Sequence, residues 1–191
     1  MKSILISIKP KWCELITSGK KTIEVRKTRP KIETPFKCYI YETKAIYKPS
    51  GSNHLFNGKG KVIGEFVCNL IQEVYQCNSG WVKEYACISQ DEFFDYLGIP
   101  RGTHFGYDKK AYAWHISNLV IYDKPKELSE FFMYCGENPK CDGCEAHYYS
   151  NTESGCEDYC CSIIDGCRPL KRPPQSWCYV KPHKEGVICD G

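Results

Sequence analysis

No stretch of the chain approaches the ~20 apolar residues that a membrane-spanning helix requires, so no membrane partner is expected. The apolar run Ile4–Ile8 is far shorter than a secretory signal core and leads straight into patterned structure. The expectation is a soluble cytoplasmic protein. Net charge is only +3 over 191 residues, too little to argue for a nucleic-acid partner on bulk charge. No internal repeat is evident. In a reducing compartment the 14 cysteines do not read as a disulfide scaffold.

What is present is globular. Hydrophobic residues make up 42% and charged residues 26%, and the length suits one domain, alone or with a small appendage. The charge is unevenly placed. From Met1 to Lys31 nine basic residues face two acids, Glu14 and Glu24, whereas from Cys135 to Cys167 seven acids face Lys140 alone. The first segment is a candidate anion-binding surface and the second is not.

Ile4–Ile8 reads as a short buried strand. Pro10 suits the first turn of a helix carrying Trp12, Leu15 and Ile16 as an apolar stripe, with Gly19 as its stop. Lys21–Thr28 follows a period of two, with Lys21, Ile23, Val25 and Lys27 on one face and Thr22, Glu24 and Arg26 on the other. Strands are expected at Phe36–Thr43, Lys61–Tyr75, Ala111–Tyr122 and Ser176–Val180, with a loop over Lys48–Gly60 and a bulge or close approach at Gly64. Ser89-Gln-Asp-Glu92 is a capping box for a helix through Phe93, Phe94 and Leu97, closed by Gly98, and Ser129–Tyr134 suggests one helical turn. Many strands with a few short helices favour an α+β barrel.

Gly19-Lys-Lys-Thr-Ile-Glu-Val-Arg26 fits G-x-K-x-x-E-x-R directly after a strand and a helix. Lys21 lies just past a helix end, where an ammonium can project into a cleft. Glu24 and Arg26 are two apart on one strand face, close enough to pair or to share a ligand. A guanidinium fork recognises a phosphate or a base edge, and a carboxylate accepts from an amino group. The plainer reading of Thr22, Glu24 and Arg26 is an exposed strand face with an ion pair worth ~0–1 kcal/mol.

The octapeptide resembles the signature of the ASCH domain family in pattern and position. Lys61-Val-Ile-Gly-Glu-Phe-Val67 is similar to a barrel strand of that family. Ala111–Ser117 with Tyr122–Pro125, and Pro173–Val180, are similar to a subgroup common in bacterial and phage-related proteins. The resemblance implies a PUA-like β-barrel with short flanking helices. It also implies a basic cleft, floored by the signature, that takes RNA, DNA or a nucleotide, as a nucleic-acid or modified-nucleotide-binding module. Candidate ligand-binding residues are Lys21, Thr22, Glu24, Arg26, Lys27, Arg29 and Lys9.

Some relatives deacylate N4-acetylcytidine with a lysine, a threonine three residues later and a distant glutamate. Lys21 matches the lysine, but Glu24 stands at the threonine position, and Glu65, Asp91 and Glu92 are candidates for the distant carboxylate. A hydrolase of a modified nucleoside or RNA, with Lys21 and Glu24 as catalytic groups, is therefore the alternative. Other cleft candidates are His54, His104, His115, Tyr112, Trp114, Trp12 and the loop Arg101–Tyr107. His115, inside a strand run, reads rather as a structural histidine.

Seven cysteines fall in Cys135-x5-Cys141-x2-Cys144-x11-Cys156-x3-Cys160-Cys161-x5-Cys167. Cys141-x-x-Cys144 has zinc-knuckle spacing, with Gly143 permitting the turn. These 33 residues hold few apolar side chains, so a structural zinc would supply folding energy that a core does not. The leading ligands are Cys135, Cys141, Cys144 and Cys156, with Cys160, Cys161 and Cys167 as alternates and His147 as a substitute for one thiolate. Disulfides or an iron–sulfur cluster would use the same cysteines. Of the other cysteines, Cys13, Cys38, Cys68, Cys77, Cys87 and Cys178 read as small core residues. The insert's acidity suits a brace or a docking face for a protein partner. The expected layout is a barrel over 1–133, a metal-binding insert over 134–168, a returning strand over 169–184 and a tail over 185–191.

Overall fold

Strand β1, Ser3–Ile8, is buried at every position and lies inside the sheet, as its unbroken apolar run requires. The computed structural model describes residues 2–48, 53–75, 80–100, 109–133 and 169–181. In chain order the other elements are α1 Pro10–Thr17, β2 Ile23–Arg26, β3 Phe36–Glu42, β4 Ile46–Tyr47, β5 Phe56–Asn57 and β6 Val62–Tyr75. After these come α2 Gly80–Ala86, α3 Gln90–Leu97, β7 Lys110–Lys126, a 3₁₀ turn Leu128–Glu130 and β8 Trp177–Val180.

Six strands form one mixed sheet in the order β2-β7-β6-β3-β1-β8, and β4 and β5 form a small ribbon beside it. β1 pairs parallel with β3, and the other pairs are antiparallel. Alternation of side chains along the strands divides the core. Ile4, Ile6, Cys38, Ile40, Phe66 and Trp114 point to one face and meet Cys13 and Ile16 of α1. On the other face, Ile23 and Val25 pack under α2 and α3 with Val82, Phe93 and Leu97. Further along that face Leu5, Tyr39 and Val180 pack with Leu128, Phe131 and Leu170.

The sheet curls until its edge strands are bridged by side chains. The Arg26 guanidinium of β2 donates to the Ser7 carbonyl at 2.6 Å and reaches the Ser176 hydroxyl at 3.4 Å. Trp177 Nε1 donates to Thr28 Oγ1 at 3.0 Å, and the Lys31 amide donates to the Tyr179 hydroxyl at 2.7 Å. Among the described residues β2 and β8 share no backbone ladder, and each of these bridging bonds uses at least one side chain.

Gly64 is required by its surroundings. A Cβ there would stand 2.4 Å from the Val120 carbonyl oxygen, where the β6–β7 register also shifts. The capping box is present, with the Glu92 amide donating to Ser89 Oγ and the Ser89 amide donating to Glu92 Oε2. Gly98, at φ 66°, ends α3 in the left-handed region.

Several boundaries differ from the sequence reading. The period-two segment yields only four strand residues, because Lys21 still serves the end of α1 through its amide bond to the Leu15 carbonyl. The stripe of α1 turns slightly, so that Pro10, Cys13 and Ile16 are buried. β7 runs on to Lys126, and β5 lies within the expected loop. α2 carried no start signal that would have announced it.

Candidate functional site

Lys21, Glu24 and Arg26 are brought together, and all three are buried, at 3%, 6% and 8% exposed. Glu24 Oε1 meets Arg26 Nη2 at 3.0 Å, and its Oε2 lies 3.3 Å from Lys21 Nζ. For Glu24 and Arg26 this overturns the plainer expectation of an exposed strand face, while Thr22 is exposed as that reading had it. β2 has cover on both sides: Ile23 and Val25 face the helical layer, and the alternate residues Glu24 and Arg26 face the barrel interior.

Each member is placed by a different element. Gly19, at φ 72°, turns the chain sharply after α1 and delivers Lys21. The C-terminal end of α2 then holds that segment, with the Thr22 amide donating to the Tyr85 carbonyl and Lys21 Nζ donating to the Ala86 carbonyl at 2.8 Å. A terminal helix carbonyl suits a cation, because it has no partner inside the helix. Lys21 also faces the Trp12 ring at 5.1 Å. Glu24 lies opposite Trp114 in the β2–β7 register.

Burial is incompletely compensated. Glu24 Oε2, Arg26 Nε and Trp114 Nε1 are enclosed without a hydrogen-bond partner. Two cations face one carboxylate, so the cluster carries a formal excess of one positive charge. Tyr96 of α3 belongs to the same neighbourhood. Burial pushes its hydroxyl up from the ordinary value, with Arg26 pulling it down and Glu24 pushing it up. Its oxygen accepts from the Lys27 amide at 3.2 Å, and the Lys27 ammonium lies 5.1 Å from its ring.

The other expected site residues fall outside the buried cluster. Thr22, Lys27 and Arg29 are exposed on or just after the signature, and exposed Lys9 precedes α1. Trp114 is fully buried core, Trp12 is half-buried, and His115 bonds Gln72 at 2.6 Å and stacks on Trp81, which is a structural role. Of the distant carboxylates, Glu65 binds Lys37 and Tyr122, and Glu92 caps α3 and pairs with Lys11. Asp91 is exposed in the first turn of α3. None of the three is paired with Lys21. His54 pairs with Glu14 on another part of the surface. The loop Arg101–Tyr107 with His104, Cys77, and the cysteines from Cys135 to Cys167 with His147 lie outside the described residues. Among the described residues no group of three or more candidate ligands converges on a metal.

Cys13, Cys38 and Cys68 are core thiols as expected, whereas Cys87 and Cys178 are only partly buried. Burial pushes the Cys68 thiol up to about 12 and the Cys178 thiol up to about 11. Tyr96 and the α2 carbonyls were missed by sequence reasoning. Tyr96 sits in a run of aromatics that reads as core, and a backbone carbonyl has no residue code.

A mixed α+β sheet curled around a buried ionic signature defines a PUA-like barrel. The ASCH domain model matches residues 6–126, and the chain belongs to the ASCH domain family. Among solved structures it is similar to ASCH from Zymomonas mobilis, at 21% identity over 94% of this chain and 88% of that one, with a TM-score of 0.53. A serine-to-alanine mutant of the same Zymomonas mobilis protein gives 20% identity over 95% and 89%, with a TM-score of 0.54. No curated protein matches the chain.

Proposed function

We propose that the protein is a nucleic-acid or nucleotide-binding module whose ligand is recognised at the mouth of the cluster of Lys21, Glu24 and Arg26. ASCH domains are in general RNA-binding modules of the PUA-like class, and the basic bias of residues 1–31 suits such a role. The observation that carries the reading is the formal excess positive charge of a nearly buried trio. A phosphate or an anionic base edge would balance it in a place where water screens little. Exposed Lys9, Lys27 and Arg29 would add sequence-independent backbone contacts.

The test is retention of single-stranded RNA and of DNA across a salt series. Wild type should bind with a steep salt dependence, and Lys27→Ala with Arg29→Ala should lower the slope. Absence of salt-sensitive retention on either polymer, and of binding to mononucleotides, would remove the proposal.

The 3.3 Å approach of Lys21 to Glu24 Oε2, an oxygen with no hydrogen bond, favours a second reading. On that reading the pair acts as base and acid in hydrolysis of a modified nucleoside such as N4-acetylcytidine, or of RNA. Turnover that disappears in Lys21→Met while the fold remains would establish it.

For the cysteine segment over 134–168 we retain structural zinc on Cys135, Cys141, Cys144 and Cys156, with a protein-docking role for its acidic surface. Metal analysis of the purified chain should find about one zinc per chain; an iron–sulfur chromophore, or a metal-free chain with these thiols open to alkylation, would rule it out. A cytoplasmic location is proposed with it, since thiolates stay reduced and able to hold a metal there. No helix among the described residues is long and apolar enough to cross a membrane.

A further inference from the structure

The face of α1 turned away from Trp12 borders a cavity of about 380 Å³ between the helix, the β4–β5 ribbon and the far end of β7. Its volume is in the range of small-molecule sites. Its chemistry is opposite to that of the signature cluster. Glu14 and Glu42 are among the residues that line it, and the basic residues there are Lys59 and His54.

Two of these groups are positioned by other parts of the wall. Glu14 Oε2 bonds His54 Nε2 at 3.0 Å, and the His54 ring meets the Phe56 ring edge-on at 4.3 Å. Glu42 Oε2 accepts the Lys59 amide at 2.9 Å, which fixes the carboxylate and leaves its charge unneutralised by an ammonium in that bond. The opposite wall is apolar, with Phe56, Ile63, Ile121 and Pro125. Gly58 lets the ribbon close against α1. A Cβ there would fall within 1.9 Å of the Thr43 carbonyl oxygen and 2.6 Å of Pro10.

From this geometry we infer that the cavity is a binding site for a small organic amine, with the ammonium between Glu14 and Glu42 and an apolar body against Phe56 and Ile121. Phosphate-bearing ligands are disfavoured by the same two carboxylates. A bare divalent cation is disfavoured because no three ligand groups converge there among the described residues. The inference does not rest on the nucleic-acid reading, since the cavity lies on the other side of α1 from Trp12 and Lys21.

The experiment is a titration of the whole isotope-labelled protein with phenethylamine, read by amide chemical shifts, beside phenylpropionate as an anion of the same shape. Saturable shifts confined to residues 10–17, 42, 54–63 and 121–125 are expected with the amine and not with the acid. Glu14→Gln combined with Glu42→Gln keeps the acceptor for Lys59 and should weaken the amine by about tenfold or more. Linear or scattered shifts, equal response to phenylpropionate, or undiminished binding by the folded double variant would each overturn it.

Discussion

Arg26–Glu24 and Lys11–Glu92 are ion pairs of nearly the same length, 3.0 Å and 2.8 Å, yet they live in different media. The first has side chains 10% and 8% exposed, the second 25% and 42%. At the surface, water competes for both charges and the pair contributes little. Inside the barrel, removing one partner strands the other where rehydration is blocked. Separation therefore says little about what an ion pair does; the surrounding medium decides.

The largest effect that would sharpen this contrast is expected from Arg26→Ala. It removes the guanidinium from Glu24 and also takes a donor from the Ser7 carbonyl and Ser176, so the two sheet edges lose a bridge. Chemical denaturation should show a loss of about 3–5 kcal/mol, and a loss below ~1 kcal/mol would place the site in surface-like solvent.

Gly64→Ala is next, at roughly 1–3 kcal/mol, since its methyl would press on the Val120 backbone. This change touches no charge and so separates packing cost from electrostatic cost. Ser89→Ala should cost about 1 kcal/mol through the lost cap of α3. It also loosens the helix that holds Glu92.

At the small end, Lys11→Ala should change stability by less than ~1 kcal/mol and become still milder in high salt. A large loss there would break the comparison. Thiol labelling tests the enclosure itself: Cys13, Cys38 and Cys68 should resist alkylation in the folded protein at neutral pH. Burial keeps all three thiols well above their usual range.

Much of this arrangement was legible in the residues. The all-apolar Ile4–Ile8, the Pro10 helix start, the Gly19 stop, the Ser89–Glu92 box and the Gly64 close approach each depend on neighbours a few positions away, and each is found in the fold. The grouping of Glu24 with Arg26 followed from the two-residue period of a strand. What was not legible came from distant partners. Lys21 was assigned to the wrong face because its position is set by the Leu15 carbonyl and the end of α2, not by strand alternation. Tyr96 lies in another helix and enters the site only through packing.

By itself the sequence determined the strand and helix grammar, the family and the identity of the charged trio, because those are written in local spacing and side-chain chemistry. The tertiary structure alone decided that the trio is buried, that Arg26 clasps β2 to the β1 and β8 edge, and that α1 separates a cationic site from an acidic cavity. Burial and closure are sums over residues far apart in the chain, and no local pattern carries them.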